Sequence, residues 1–194
     1  MSPRHPGGRT ALLVVDMQNS YFDFPELEEQ REPVTAKVNE LVRAARAGDN
    51  PILLVRTQHE RDRSTWTVSM HDDDQGFAFP GTEQAEYVAG LDTEDGVGLV
   101  KTRDSAFFNT DLAARLRNLG AERVVVCGVS THSCVAQTAI DAFAHDFRGA
   151  VAREAVASEN AELSRALLAF LEDELRQELL DQEEAVARLR GGSA

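Results

Sequence analysis

The chain has 194 residues, of which 20 are Lys or Arg and 33 are Asp or Glu, so its formal net charge is -13. That length fits one domain with a buried core, and the acidic balance argues against nucleic acid or an anionic membrane as a partner, because both bind clustered basic residues. No apolar run approaches the ~20 residues of a membrane span, and residues 1–9 lack the apolar stretch of a signal peptide. Two cysteines make no disulfide framework, so we expect a cytoplasmic protein.

Apolar runs alternate with helical patterns along the chain. Runs of strand length predict strands at 10–16, 52–57, 98–101, 124–129 and about 149–153. Apolar residues at helical spacing predict helices at 34–47, near 111–119 and at 134–145, then a helical tail over about 159–194. Segment 58–81 is long, polar and irregular, which is typical of a binding site. Because the strands are apolar throughout, the pattern predicts a three-layer α/β/α sandwich with a mainly parallel sheet, as one domain over 1–194.

Three chemically complementary residues follow three of the predicted strands. Asp16 ends the first strand, Lys101 ends the third, and Cys134 comes just after the fourth. Taken alone, each is compatible with an ordinary polar residue at the end of a strand. The carboxyl ends of parallel strands meet at one edge of the sheet, where active sites of this fold class lie. Their convergence therefore favours an active site.

The roles follow from charge and position. Cys134 falls at or near the first turn of a predicted helix, where unpaired N–H groups and the helix dipole favour a thiolate. Lys101 is expected to hold the pKa of that thiol down, and Asp16 to accept its proton and later deliver it to a leaving amine. Backbone N–H groups leading into the helix are candidates to stabilise an oxyanion on the substrate carbonyl.

Residues 10–158 resemble the isochorismatase-like cysteine hydrolases, which include nicotinamidase, N-carbamoylsarcosine amidase, ureidoacrylate amidohydrolase and isochorismatase. The stretches that carry the resemblance are LLVVDMQNSYF (12–22), KTRDSAFFNTDL (101–112) and VCGVSTHSC (126–134). Asp16, Lys101 and Cys134 match the catalytic triad of that family.

The resemblance also implies a cis peptide bond between Val129 and Ser130. Such a bond would turn backbone N–H groups of the Val129, Ser130 and Cys134 region toward the oxyanion. Isochorismatase itself acts on a vinyl ether and lacks the cysteine, so Cys134 favours hydrolysis of a C–N bond.

Nicotinamidases of this family bind a metal through an Asp-x-His pair and a later His. Here Thr57 stands where the carboxylate is expected, followed by His59 and His71. This incomplete ligand set favours solvated loop histidines, and we expect no metal and no other cofactor.

Six further residues are candidate substrate contacts: Phe22, Trp66, Arg103, Phe107, Thr131 and His132. For the two phenylalanines the alternative is core packing, for Arg103 a surface ion pair, and for His132 a structural hydrogen bond. Trp66, in a polar loop, is predicted to form a lid or a pocket wall. Outside the site, His5 and His145 are expected to be solvated, and Cys127 to be a buried apolar residue.

The sequence therefore predicts a metal-independent cysteine hydrolase that cleaves a small amide, carbamoyl or ureido substrate through a thioester. A homo-oligomer, dimer or tetramer, is expected from the family and from the apolar side of the tail. The alternatives are a vinyl-ether hydrolase, a non-catalytic binding protein of the same fold, and a redox thiol protein.

Overall fold

The computed structural model describes residues 8–191, so His5 lies outside the described residues. The strands are β1 (Arg9–Val15), β2 (Ile52–Thr57), β3 (Val97–Lys101), β4 (Ala121–Val129), β5 (Arg148–Ala157) and β6 (Glu178–Leu180). The helices are α1 (Pro25–Glu28), α2 (Arg31–Ala47), α3 (Val68–Asp72), α4 (Leu112–Asn118), α5 (Ala136–Ala144), α6 (Ala161–Asp173) and α7 (Gln182–Leu189). The strands form one parallel sheet in the order β3-β2-β1-β4-β5-β6. The predicted α/β class with a parallel sheet is confirmed.

Two apolar layers bury the two faces of the sheet. Helices α2 and α7 contribute Val38, Leu41 and Leu189 to one layer, and α4 and α5 contribute Leu116 and Ala139 to the other. Helix α6 packs on α5. This explains why the inner strands β1, β2 and β4 are largely apolar, since both of their faces are covered, whereas Val97 and Val100 of the edge strand β3 are exposed. No helix among residues 8–191 is long and apolar enough to cross a membrane.

The prediction of a continuous helical tail is wrong. Helix α6 ends at Asp173, and the chain then adds β6 to the free edge of β5, with Ala152 opposite Leu180. Helix α7 begins anew with a capping box between Asp181 and Glu184. The spacing of the leucines suits a helix, but an unpaired strand edge offers backbone partners that no local pattern reveals.

From β1 the chain adds β2 and β3 on one side of the sheet, and it then adds β4, β5 and β6 on the other side. The active site of this fold class is expected at the carboxyl ends of β1 and β4, where the direction changes. At this point the backbone turns sharply after β1, with Asp16 at a φ of 51°. Gly128 of β4 has a φ of 112°, and a Cβ atom there would lie 2.0 Å from the carbonyl oxygen of Val15. Glycine therefore allows β4 to approach the end of β1, which brings the segment after β4 next to Asp16.

Candidate active site

Asp16, Lys101 and Cys134 meet at the carboxyl edge of the sheet. The Lys101 Nζ atom lies 2.7 Å from Asp16 Oδ2 and 3.4 Å from Cys134 Sγ. The three residues are 0%, 1% and 2% exposed, respectively. A carboxylate and an ammonium at this depth are stable only as partners, because each desolvated charge alone is costly.

The ammonium of Lys101 has three hydrogens but four acceptor atoms within 3.4 Å. Its three N–H groups donate to Thr57 Oγ1 at 2.7 Å, to the carbonyl oxygen of Arg103 at 3.0 Å and to Cys134 Sγ at 3.4 Å. Asp16 Oδ2, at 2.7 Å from Nζ, is therefore held mainly by the charge of the ion pair. An oxygen in this state retains a lone pair that can take a proton.

Sequence reasoning missed three polar residues of this site, namely Gln18, Tyr21 and Thr57. The Thr57 hydroxyl donates to Asp16 Oδ1 at 3.1 Å and accepts from the Tyr21 hydroxyl at 3.0 Å. The amide of Gln18 accepts from the Thr57 N–H at 2.7 Å and donates to the Thr57 carbonyl oxygen at 2.9 Å. Thr57, which the sequence singled out only at the position of a metal ligand, reaches this edge of the sheet because it ends β2 beside Lys101.

A second carboxylate, also missed, faces the thiol from the segment after β3. Asp104 Oδ1 lies 3.9 Å from Cys134 Sγ, and its other oxygen accepts from the Gln137 amide at 2.8 Å. Unlike Asp16, Asp104 is exposed.

The environment does not favour a thiolate in the resting protein. Burial, reinforced by Asp16 and only partly offset by Lys101, raises the pKa of the Cys134 thiol well above its usual value. The expected low pKa of Cys134 is therefore wrong, because the lysine shares its charge with a carboxylate and the thiol is desolvated.

Lys101 and Tyr21, the two ionisable side chains that donate to Thr57, stay protonated. Although burial favours the neutral amine, Asp16 and the thiol raise the pKa of Lys101. Burial, together with Asp16, raises the pKa of Tyr21 well above its usual value. At neutral pH the site thus holds an ion pair beside a neutral thiol and a neutral phenol.

Cys134 lies in a π-helical turn, Thr131–Val135, that precedes α5. The Val129–Ser130 peptide bond is cis, and the Val135 N–H donates to the Ser130 carbonyl oxygen at 3.2 Å. The first N–H groups of a helix lack partners further back in the helix, so this turn presents donors beside the thiol.

The candidate contacts Thr131 and His132 anchor this turn to the end of β5. The Thr131 hydroxyl donates to the carbonyl oxygen of Ala157 at 3.0 Å. The Nδ1 atom of His132 lies 2.7 Å from Ser158 Oγ, and its Nε2 atom lies 3.6 Å from Glu159. Both side chains are thus engaged in structural hydrogen bonds, which is the alternative that the sequence left open for His132.

Phe22 and Phe107 lie in the core. Phe22 belongs to the apolar layer on the α2 side, while its neighbour Tyr21 faces the thiol. Phe107 belongs to the layer on the α4 side and stacks on His145, with ring centroids 5.1 Å apart. His145 is therefore half-buried against an aromatic ring, and the expectation of a solvated position is wrong. Cys127 is fully buried in β4, as predicted.

Trp66 and Arg103 stabilise segment 58–81. The Trp66 indole N–H donates to the carbonyl oxygen of Glu60 at 3.0 Å, and only 8% of the residue is exposed. The guanidinium of Arg103 donates to the carbonyl oxygens of Thr65 at 2.8 Å and Trp66 at 3.3 Å. The surface ion pair considered for Arg103 is replaced by hydrogen bonds to the backbone.

A cavity of about 370 Å³ opens next to the site. Tyr21 and Phe77, whose rings meet edge to face at 6.0 Å, form one wall, and Asp23, Phe24 and Met70 lie among the other lining residues. Tyr21 thus belongs both to the cavity and to the surroundings of Cys134.

The residues at the position of the family metal site do not fit a metal ion. Thr57 replaces the carboxylate, and its hydroxyl is engaged by Asp16 and Lys101. His59 is buried, not solvated as expected, with Nδ1 3.0 Å from the Thr65 carbonyl oxygen, whereas His71 is exposed. Within residues 8–191, no three His, Cys, Asp or Glu side chains are grouped as metal ligands.

Comparison with known proteins gives a consistent result. Residues 10–184 match the family model described as the isochorismatase domain. A protein of Arabidopsis thaliana, named a probable inactive nicotinamidase, is 35% identical over 146 residues, which cover 71% of this chain and 74% of that protein. Maleamate amidohydrolase of Pseudomonas putida is 32% identical over 195 residues, which cover 95% and 88%. The crystal structure of a pyrazinamidase of Pyrococcus horikoshii in complex with zinc is similar at a TM-score of 0.77 and 29% identity, covering 89% of this chain and 99% of that chain.

Proposed function

The chain belongs to the isochorismatase family of hydrolases, and from this premise we propose that it is a metal-independent cysteine amidohydrolase. Its substrate is a small amide, carbamoyl or ureido compound, and Asp16, Lys101 and Cys134 are its catalytic residues. The observation that carries the proposal is the buried ammonium of Lys101, which contacts both the carboxylate and the thiol within 3.4 Å.

In the first half of the reaction, the Cys134 sulfur attacks the substrate carbonyl carbon. The S–H bond breaks as the proton passes to Asp16, and the electron pair on sulfur forms the new C–S bond. Because the resting thiol is neutral, this proton transfer accompanies the attack and does not precede it. Lys101 remains a cation and stabilises the negative charge that develops on sulfur.

The carbonyl oxygen becomes an oxyanion in the tetrahedral intermediate. We assign the stabilisation of this oxyanion to the backbone N–H groups of Ser130, just before the π-helical turn, and of Cys134, within it. Val129 precedes Ser130 across the cis peptide bond. The anchoring of this turn to β5 keeps these donors in place.

In the second half, Asp16 returns its proton to the leaving nitrogen, and the C–N bond breaks to release ammonia or an amine. A thioester on Cys134 remains. Asp16 then removes a proton from a water molecule, whose oxygen attacks the thioester carbonyl, and the sulfur leaves as the thiol after regaining that proton. The cycle consumes one water and leaves every side chain unchanged.

The choice of amide chemistry over ether chemistry rests on Cys134 and on the relatives. Maleamate amidohydrolase is named for an amide substrate, and so are the nicotinamidase and pyrazinamidase whose structures resemble this one. The relative named a probable inactive nicotinamidase is the reason to keep the rival function, a non-catalytic binding protein of the same fold. A dimer or tetramer stays a prediction, supported by Leu163 and Phe170, which lie seven residues apart on α6 and are 42% and 40% exposed.

The test is ammonia release from a panel of small amide, carbamoyl and ureido compounds in chelator-treated buffer. We expect turnover by the wild type and a loss of at least about 1,000-fold in Cys134→Ala. Cys127→Ala is the matched control, because Cys127 is equally buried and takes no part in the site. Ammonia release that survives in Cys134→Ala would show that Cys134 is not the nucleophile, and no turnover on any compound by a folded wild type would favour a binding protein.

A further inference from the structure

Thr57 occupies the strand between the two charged residues of the site. Strand β2 lies between β3 and β1, and the register places Thr57 opposite Lys101 and Val55 opposite Val15. The side chain at the end of β2 therefore sits between Lys101 and Asp16, which follows Val15. This position follows from the strand order together with the sharp turn at Asp16, which comes directly after β1.

We propose that Thr57 is a positioning residue that determines which oxygen of Asp16 receives the thiol proton. The inference rests on the proposed hydrolase function and adds to it a role for a residue outside the triad. Its basis is the hydrogen-bond capacity of one hydroxyl group.

A threonine hydroxyl has one hydrogen and accepts two hydrogen bonds at most. The Thr57 oxygen accepts from Lys101 Nζ at 2.7 Å and from the Tyr21 hydroxyl at 3.0 Å. Both donors stay protonated, since the pKa values of Lys101 and Tyr21 are raised. The single Thr57 hydrogen is left for Asp16 Oδ1, 3.1 Å away. The direction of every hydrogen bond at this oxygen is thereby fixed.

The backbone of Thr57 is fixed as firmly as its side chain. Gln18 is fully buried, and its amide binds both the N–H and the carbonyl group of Thr57, at 2.7 and 2.9 Å. The second hydrogen of the same amide goes to the carbonyl oxygen of Ala85 at 2.9 Å. Gln18 thus fixes the backbone of Thr57, so the hydroxyl can turn away only by rotation of the side chain, which breaks its own hydrogen bonds to Asp16, Lys101 and Tyr21.

The two oxygens of Asp16 are consequently unequal. Oδ1 accepts a hydrogen bond from Thr57, which stabilises its negative charge, whereas Oδ2 forms the ion pair with Lys101 and receives no hydrogen bond from Thr57. The S–H bond of Cys134 breaks, an O–H bond forms at Oδ2, and the electron pair stays on sulfur. Lys101, relieved of part of its interaction with the carboxylate, then acts on the sulfur that it already contacts.

Other ionisable groups also face the carboxylate and the thiol. They are Tyr21 from the segment after β1, His59 from the segment after β2, Lys101 from β3 and Asp104 from the segment after β3. A test must therefore separate the Thr57 hydroxyl from these groups, which requires a variant that removes the hydroxyl and keeps the shape.

The experiment compares Thr57→Val, which removes the hydroxyl at nearly constant shape, with Thr57→Ser, which keeps it. Thr35→Val is the matched control, because Thr35 is also a buried threonine but its hydroxyl has no partner. We expect kcat on an amide that the wild type hydrolyses to fall about 10- to 100-fold in Thr57→Val. Thr57→Ser should stay within about threefold and Thr35→Val should be unchanged.

A pH profile distinguishes this role from general support of the structure. In Thr57→Val, alkylation of Cys134 by iodoacetamide, which needs no substrate, should move to higher pH, because a carboxylate that has lost the Thr57 donor opposes the thiolate more strongly.

A folded Thr57→Val with wild-type kcat and an unshifted alkylation profile would overturn the proposal, as would a Thr57→Ser variant that is equally impaired. If Thr57→Val does not fold, Thr57→Ala takes its place with the same expectations. If the wild type hydrolyses no amide, the proposed function fails, and the alkylation profiles still decide the role of Thr57.

Discussion

The carboxyl edge of the sheet and segment 58–81 lie next to each other and place their side chains by different means. At the sheet edge, the register of parallel strands sets Thr57 beside Lys101, the turn after β1 adds Asp16, and the turn after β4 adds the thiol. In segment 58–81 the polar groups bind the segment itself, as Trp66 does with the carbonyl oxygen of Glu60. The catalytic residues are therefore placed by the sheet and the turns at its edge, whereas segment 58–81 is held by its own hydrogen bonds beside them.

The largest effect is expected from removing the charge that holds the sheet edge together. Lys101→Met leaves the Asp16 carboxylate buried without a counterion, so the free energy of unfolding should fall by about 3–5 kcal/mol in urea titrations. The double variant Lys101→Met with Asp16→Asn removes the stranded charge and should recover most of that loss, without activity.

Lys37→Met is the control for a lysine in an exposed ion pair. Lys37 lies 3.3 Å from Glu154 at the surface, and its replacement should change the free energy of unfolding by less than about 1 kcal/mol. Equal losses in Lys101→Met and Lys37→Met would show that the sheet edge holds no special electrostatic pair.

Alkaline pH should destabilise the sheet and its active-site edge, where both thiols lie, more than segment 58–81. Burial raises the pKa values of Cys127 and Cys134, so each thiol stays protonated in the folded protein while it ionises in the unfolded chain above about pH 8.5. A raised folded pKa contributes stability that is complete below the unfolded pKa and is lost as the pH rises. The free energy of unfolding should thus fall between pH 9 and 10 by about 1 kcal/mol per pH unit for each thiol.

Cys127→Ala separates the two thiols. It should lower the slope by about 1 kcal/mol per pH unit, because one of the two buried thiols is gone, while Cys134 and the tyrosines Tyr21 and Tyr87 keep the remainder. A slope equal to that of the wild type would contradict the assignment of the alkaline loss to the buried thiols.

A smaller effect is expected in segment 58–81. Arg103→Ala removes the hydrogen bonds to the carbonyl oxygens of Thr65 and Trp66, so amide hydrogen exchange in the segment should accelerate and KM should rise about three- to tenfold. The alkylation profile of Cys134 should not move. If exchange is unchanged and only substrates that carry a carboxylate lose affinity, Arg103 binds substrate directly, as the sequence suggested.

The sequence was most informative where a charged residue follows an apolar strand. Asp16 and Lys101 stand out because a charge at such a place needs a partner, and Cys134 stands out between a strand and a helix. Thr57 ends a strand in the same way, but an uncharged hydroxyl gives no such signal, and only the strand order places it between the other two.

Contacts that depend on irregular backbone could not be predicted in this way. Tyr21 and Phe22 are neighbours in a short turn, and the turn geometry alone decides which ring faces the thiol and which enters the core. The engagement of Arg103 by backbone carbonyl groups depends on the path of segment 58–81. Strand β6 was missed because it pairs with the edge of β5, which is distant in the sequence, so that no local pattern of residues indicates the pairing.

The central claim is that Cys134 forms a thioester, and acid-quenched mass spectrometry during turnover tests it most directly. The wild type is mixed in chelator-treated buffer with an amide from which it releases ammonia, then quenched and digested. We expect the peptide that contains Cys134 to gain the mass of the acyl group, and Cys134→Ala to show neither the adduct nor ammonia release. Ammonia release by Cys134→Ala at the wild-type rate, with no adduct on the wild-type peptide, would contradict the mechanism.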